Sequence, residues 1–103
     1  MRQAVLRIED LPEGALDAAA RFHGEWLRTA RDQLGAAEAL ALIFPLATHE
    51  HRGWRLAVVQ ALAREAAPKR VNGVVGDDLP ATARTTGWLA EAPGITGQLL
   101  EVG

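Results

Sequence analysis

Eight consecutive residues, Ala39-Leu40-Ala41-Leu42-Ile43-Phe44-Pro45-Leu46, carry no polar side chain. Such a run suits a parallel β-strand covered on both faces. Pro45 cannot donate to a strand ladder and predicts where the strand ends. A strand hidden on both sides needs helices around it, and the flanking segments supply them. A helix is predicted from about Ala15 to Gln33. There Leu16, Ala20, His23, Leu27, Ala30 and Leu34 recur at spacings of three and four, the helical period. Phe22 and Trp26 add a second, adjacent stripe, and Gly35 is a natural stop. A second helix is predicted from Arg52 to Ala67, closed by Pro68. It also has two stripes: Trp54, Val58, Ala61 and Leu62 on one, Leu56, Val59, Ala63 and Ala66 on the other. Two stripes on each helix predict packing on a sheet and on a further surface.

Residues 3–8 read as a short strand, 71–75 as a third and 95–102 as a last one. Residues 9–14 read as a loop. Residues 79–93 read as loop-like, with no more than a helical turn near 83–85 or 88–92. Strand, helix, strand, helix, strand, strand is the order of an α/β layer with a mostly parallel sheet. Right-handed crossovers are expected. A length of 103 residues predicts one domain, 1–103, with a thin core that gains from association.

Composition narrows the chemistry. Eleven Lys and Arg against 13 Asp and Glu give a net charge of -2, without the basic excess of a nucleic-acid binder. No segment approaches the ~18 apolar residues of a membrane span. The N-terminus has no secretory pattern, so a cytoplasmic location is the expectation. There is no cysteine, which excludes disulfides, thiol catalysis and Cys-zinc sites, and there is no tyrosine. No two of the ten glycines are spaced two apart. The glycine-rich phosphate loops GxGxxG and GxxxGxG therefore cannot be written anywhere in the chain.

The segment Ala61-Leu62-Ala63-Arg64-Glu65-Ala66-Ala67-Pro68-Lys69-Arg70-Val71-Asn72-Gly73-Val74-Val75-Gly76 resembles the short-chain dehydrogenase/reductase family, where a helix ending LAxE leads into a strand RVNxxxPG. Ile95-Thr96-Gly97-Gln98-Leu99-Leu100-Glu101-Val102-Gly103 resembles that family's closing ITGQxxxVDGG. The two motifs cover residues 52–103 in the family's order, and residues 1–51 resemble it by element order alone. The resemblance implies half of a Rossmann-like three-layer fold, with about four mostly parallel strands and two long helices. It also implies that the nucleotide-binding strands are missing. In the family's register Thr48 stands at the tyrosine of YxxxK and Arg52 at its lysine. An alkyl hydroxyl cannot replace a phenol of pKa about 10 as acid and base, and arginine is a poor point-charge substitute for lysine. The loop that would carry the family's serine is absent. Val75 replaces the Pro of PG, and Glu9-Asp10-Leu11-Pro12 replaces NNAG. The implied protein is not a working dehydrogenase on its own, and no catalytic residue or cofactor is assigned to it.

Other clusters have plainer readings beside the sharper ones. His49-Glu50-His51 places two imidazoles two apart, short of a complete zinc set; a polar strand-to-helix turn accounts for it. Thr48 and Glu50 suit an N-cap and a first-turn acid. Asp77-Asp78 reads as a solvated turn. Arg84, Thr85 and Thr86 fall where the family has a mobile lid. In the family the two long helices form a four-helix bundle between subunits. Phe22, Trp26, Trp54, Val58 and Leu62 are therefore the expected interface, against the alternative that they pack on the chain's own sheet. The expected role is a non-catalytic oligomerisation or partner-binding module, a homodimer or a heteromer with a full-length dehydrogenase. The alternative is a component that completes or regulates an NAD(P)-dependent dehydrogenase.

Overall fold

Residues 2–102 are described by a computed structural model. Strands β1 (Gln3–Arg7), β2 (Ala39–Phe44), β3 (Arg70–Val75) and β4 (Leu99–Glu101) form one sheet in chain order, every neighbouring pair parallel. All six residues of β2 and all six of β3 are buried, as the apolar run from Ala39 requires. β2 stops at Phe44, one residue before Pro45. The sequence boundaries for the strands hold to within a few residues, apart from β4, which is shorter than predicted.

The register sorts the side chains into two faces. Leu6, Leu42, Gly73 and Leu99 lie in one row across the sheet, and Ala4, Leu40 and Val71 in the next. This face meets helices α1 (Ala15–Arg21), α2 (Leu27–Gly35) and α3 (Arg52–Ala66), and it holds the main core around Phe22, Phe44, Val59 and Leu62. Gly73 lets the layers close. A Cβ there would lie 2.7 Å from Leu99 Cδ1 and 3.0 Å from Val59 Cγ2.

The first long helix is not a straight α-helix. A π-turn, Phe22–Trp26, joins α1 to α2. Its residues nearest the sheet are Ala18, Phe22, Trp26, Ala30 and Leu34; four of them are buried and Trp26 is half-buried against the core. They are spaced by four throughout. On a regular helix a stripe with that spacing rotates by about 40° per step and would wind off the sheet. The wider π-turn absorbs part of this rotation. It also corrects the predicted first stripe. Leu16 is 89% exposed, and Ala20 and His23 face solvent, because a uniform 3.6 period puts the wrong residues inward before the π-turn.

The other face carries Ala39, Ala41, Ile43 and Val74, all buried. Their cover is a helix that the sequence reading missed, α4 (Leu79–Ala90), in the segment expected to be a loop. Three threonines and Gly87 make this a weak helix by propensity, and tertiary packing overrides that. Thr82, Thr86 and Leu89 are buried against the sheet. The hydroxyls of Thr82, Thr85 and Thr86 donate to the carbonyls of Leu79, Ala81 and Ala83 within the helix. Asp78 caps the start, accepting from Ala81 N at 3.4 Å, and Pro80 sits in the first turn. Arg70 donates from Nη1 to the carbonyls of Leu89 and Ala92 at 2.8 and 3.0 Å, a cation at the negative end of the helix. Gln3 Nε2 reaches the Thr86 carbonyl at 2.9 Å.

The strand order advances in one direction, while α1–α3 and α4 lie on opposite faces. The β3–α4–β4 connection therefore has the opposite hand to the first two, and uniformly right-handed crossovers do not hold. The first face is already filled by three helical segments, whereas Ala39, Ala41, Ile43 and Val74 on the other would otherwise meet water. Coverage stops short of β1, where Val5 is 47% exposed and the strand's outer edge has no partner strand among the described residues.

Candidate functional site

In open parallel sheets the crevices form beyond the carboxyl ends of the strands. Here that edge is built by the loop after β1, the β2–α3 junction and the residues after β3 and β4. Two cavities open along it. The larger, about 210 Å³, lies between Leu11, Pro12 and Glu13 on one side and Pro45 to Thr48 on the other, with His51 and Arg55 among its lining residues. A small one, about 30 Å³, lies among Thr48, Arg52, Val75, Leu99 and Glu101; that is roughly the space of one water molecule.

The positions aligned with the family's tyrosine and lysine do come to this edge. Thr48 is exposed, and its Oγ1 donates to Glu50 Oε1 at 2.9 Å. It stands at the N-cap of a short 3-10 turn, His49–His51, but its side chain makes no capping bond; its carbonyl accepts from His51 N at 3.1 Å. Arg52 is partly exposed and faces Glu101 at 3.9 Å. The predicted cap is therefore present as a position and absent as a side-chain contact. Thr48 spends its hydroxyl on a neighbouring carboxylate.

The 3-10 turn also separates the two histidines. His49 is exposed, whereas His51 is 4% exposed. His51 Nδ1 accepts from Trp54 Nε1 at 3.2 Å, so Nε2 carries the proton and donates to the Glu13 carbonyl at 2.9 Å. The imidazole ties the loop after β1 to the start of α3. No cluster of three or more His, Cys, Asp or Glu side chains able to hold a metal occurs among the described residues. Asp77 accepts from Leu46 N at 3.1 Å, while Asp78 serves as the α4 cap. Arg84, Thr85 and Thr86 belong to α4, with Thr86 buried, so they form part of a packed helix in place of the expected loop.

Sequence reasoning passed over Arg55, the residue with the least ordinary environment here. It is 3% exposed. Its guanidinium carbon lies 4.9 Å from the Phe44 ring centre and 5.6 Å from that of Trp54. Nη1 donates to the Pro45 carbonyl at 2.8 Å. Nε is buried without a hydrogen-bond partner, and no carboxylate pairs with the group among the described residues. Burial pushes its pKa below the ordinary arginine value. The signal was available in the spacing: His51, Arg55, Val58 and Leu62 fall four, three and four apart, so the arginine sits on the buried stripe of α3.

The residues expected at an interface lie in or against the chain's own core. Phe22, Val58 and Leu62 are 0%, 5% and 3% exposed and belong to the chain's own core. Phe22 lies 6.0 Å from Phe44 and 5.7 Å from Trp54, centre to centre. Trp54 and Trp26 are half-buried against the same core. The second stripe on each helix, Phe22 and Trp26 on one and Leu56, Val59, Ala63 and Ala66 on the other, packs in or against the chain's own core.

A four-stranded parallel sheet with helices on both faces and crevices at its carboxyl edge defines a Rossmann-like α/β protein. A family model described as short chain dehydrogenase-like protein matches residues 6–102, and the chain belongs to that family. Comparison with curated proteins and with solved structures finds no match. Among the described residues, no helix is long and apolar enough to cross a membrane.

Proposed function

We propose that this chain is a non-catalytic member of its family and acts as an association module, through the outer surface of the α1–α3 layer. One observation carries the reading. Solvent-facing positions of a helix normally hold charged or polar side chains, and here small and apolar residues stand exposed among them. Leu16, Ala20 and Gly24 are exposed on one side of the groove, and Gly53, Ala57 and Ala61 are exposed on the other. The groove itself, about 190 Å³, is lined by His23, Leu27, Val58, Ala61 and Leu62 and ends at the Arg31–Glu65 pair. Small side chains let a second helical layer approach closely. The occupant is a second copy of this chain or a homologous dehydrogenase subunit presenting the same face.

The catalytic side of the reading rests on chemistry. Thr48 has no phenol, its hydroxyl is bonded to Glu50, and Arg52 faces Glu101. The test is mass in solution by light scattering or sedimentation, alone and mixed with full-length family members, for the natural chain and for Ala57→Arg. Association that Ala57→Arg abolishes is expected. A stable monomer that binds none of these chains refutes it.

A second reading draws on the outer edge of β1, which has unpaired backbone groups among the described residues. Such an edge can accept another strand, and a dehydrogenase chain that supplied it would extend the sheet. The module would then be a component of an NAD(P)-dependent enzyme. A rise in melting temperature with NAD(P)H, seen with that partner present, distinguishes this from simple association.

A further inference from the structure

We propose that the cavity between the loop after β1 and the β2–α3 junction is a binding site for a small organic carboxylate, with the Arg55 guanidinium as its counter-charge. The inference is independent of the association reading, which concerns the opposite side of α3 and its neighbours.

Three observations converge on it. The first is a buried cation without an anion. A guanidinium has five N–H donors in a planar fork; Arg55 places one on the Pro45 carbonyl and leaves Nε buried without a partner among the described residues. Stacking on Phe44 and Trp54 offsets part of the desolvation, but no carboxylate among the described residues neutralises the charge. Burying a charge is costly unless it is paired. The second is the cavity beside it, about 210 Å³, with Arg55 and His51 in its wall. Ligand pockets for larger molecules start at roughly 300 Å³, so this one suits a molecule of a few carbons. The third is the rest of the lining. Leu11, Pro12, Pro45, Leu46 and Ala47 are apolar, with Glu13 and Thr48 as the remaining polar residues; this mostly apolar wall favours a carboxylate with a short hydrocarbon tail over a phosphate, which needs several donors. His51 cannot compete for the arginine, because both its nitrogens are bonded, one to Trp54 and one to the Glu13 carbonyl. Those same bonds hold the loop after β1 in place as the far wall.

The experiment is titration of the labelled protein with butyrate, followed through the backbone amides of Leu11, Leu46 and Ala47, with 1-butanol and inorganic phosphate as parallel arms. Saturable shifts with butyrate, and none with butanol or phosphate, are expected. Arg55→Met should weaken butyrate binding at least about tenfold, as expected for loss of a charge-assisted contact. Leu46→Glu keeps the test open if Arg55→Met does not fold. Leu46 is 60% exposed at the cavity mouth, so that change should leave the fold intact and weaken butyrate by repulsion. The proposal is overturned by unsaturable or absent shifts with butyrate, by an equal response to phosphate or butanol, or by undiminished binding in a folded Arg55→Met or Leu46→Glu.

Discussion

Replacing Phe22 by alanine separates the two roles that a large aromatic on the first long helix can have. If Phe22 belongs to the core, its loss weakens the single chain; if it belongs to an interface, its loss weakens association. The structure places its ring at 0% exposure, in contact with Phe44 and Trp54. Burying such a ring contributes about 1.5–3 kcal/mol by transfer from water. Two aromatic contacts at this separation add about 0.5–1.5 kcal/mol each. Together these match the ~3–5 kcal/mol usual for Phe→Ala in a core, a large share of the roughly 5–15 kcal/mol that holds a domain together. Urea unfolding followed by tryptophan fluorescence reads it directly, since Trp54 touches the deleted ring. The expected result is a lower midpoint by that amount, equal at low and high protein concentration. A loss under about 1 kcal/mol, or one that vanishes on dilution, refutes the assignment of Phe22 to the core.

Two further outcomes follow from the helices. Arg31 holds Glu65 through two hydrogen bonds of 2.8 Å, lowering the Glu65 carboxyl below its ordinary pKa and raising that of Arg31. A carboxyl depressed on folding stabilises the folded state above its unfolded pKa, and that contribution is lost as pH falls through the folded value. Melting temperature measured from neutral to acid pH should therefore fall less steeply in Glu65→Gln than in the natural chain, a modest difference because both groups are half exposed. Asp78→Ala should remove the α4 cap and cost about 1 kcal/mol, read as faster amide exchange at the start of α4 with the rest of the sheet unchanged.

The strands and the α3 boundaries were legible because they rest on local signals: an unbroken apolar run in β2, proline after it and after α3, and the Arg70-Val71-Asn72 start of β3. What escaped depended on partners distant in sequence. α4 is written in threonine and glycine, and only the apolar face formed by Ala39, Ala41, Ile43 and Val74 makes it helical. The inward stripe of α1 cannot be read on a regular wheel, because the π-turn at Phe22–Trp26 shifts the phase. Large apolar residues such as Phe22 and Leu62 suit an interface and a small core equally, so size alone does not separate the two. Arg55 was hidden because a charged residue on a helix is assumed to face water. Its spacing from Val58 and Leu62 argues otherwise.

The molecule presents two surfaces with separate physics. The α1–α3 layer buries most of its large apolar side chains inward and shows small residues among charged ones outward, so the proposed association would depend on close backbone approach with little large apolar area to draw on. A single bulky or charged side chain at Ala57 should then disturb it strongly while leaving the core untouched. The carboxyl edge works differently. There a cation is held dry by Phe44, Trp54 and the Pro45 carbonyl, and the neighbouring wall is fixed by His51. Removing Arg55 from that edge should alter anion binding without changing mass in solution, whereas Ala57→Arg should do the reverse. If either variant moved both properties together, the two surfaces would be coupled through α3, and the division drawn here from burial would be wrong.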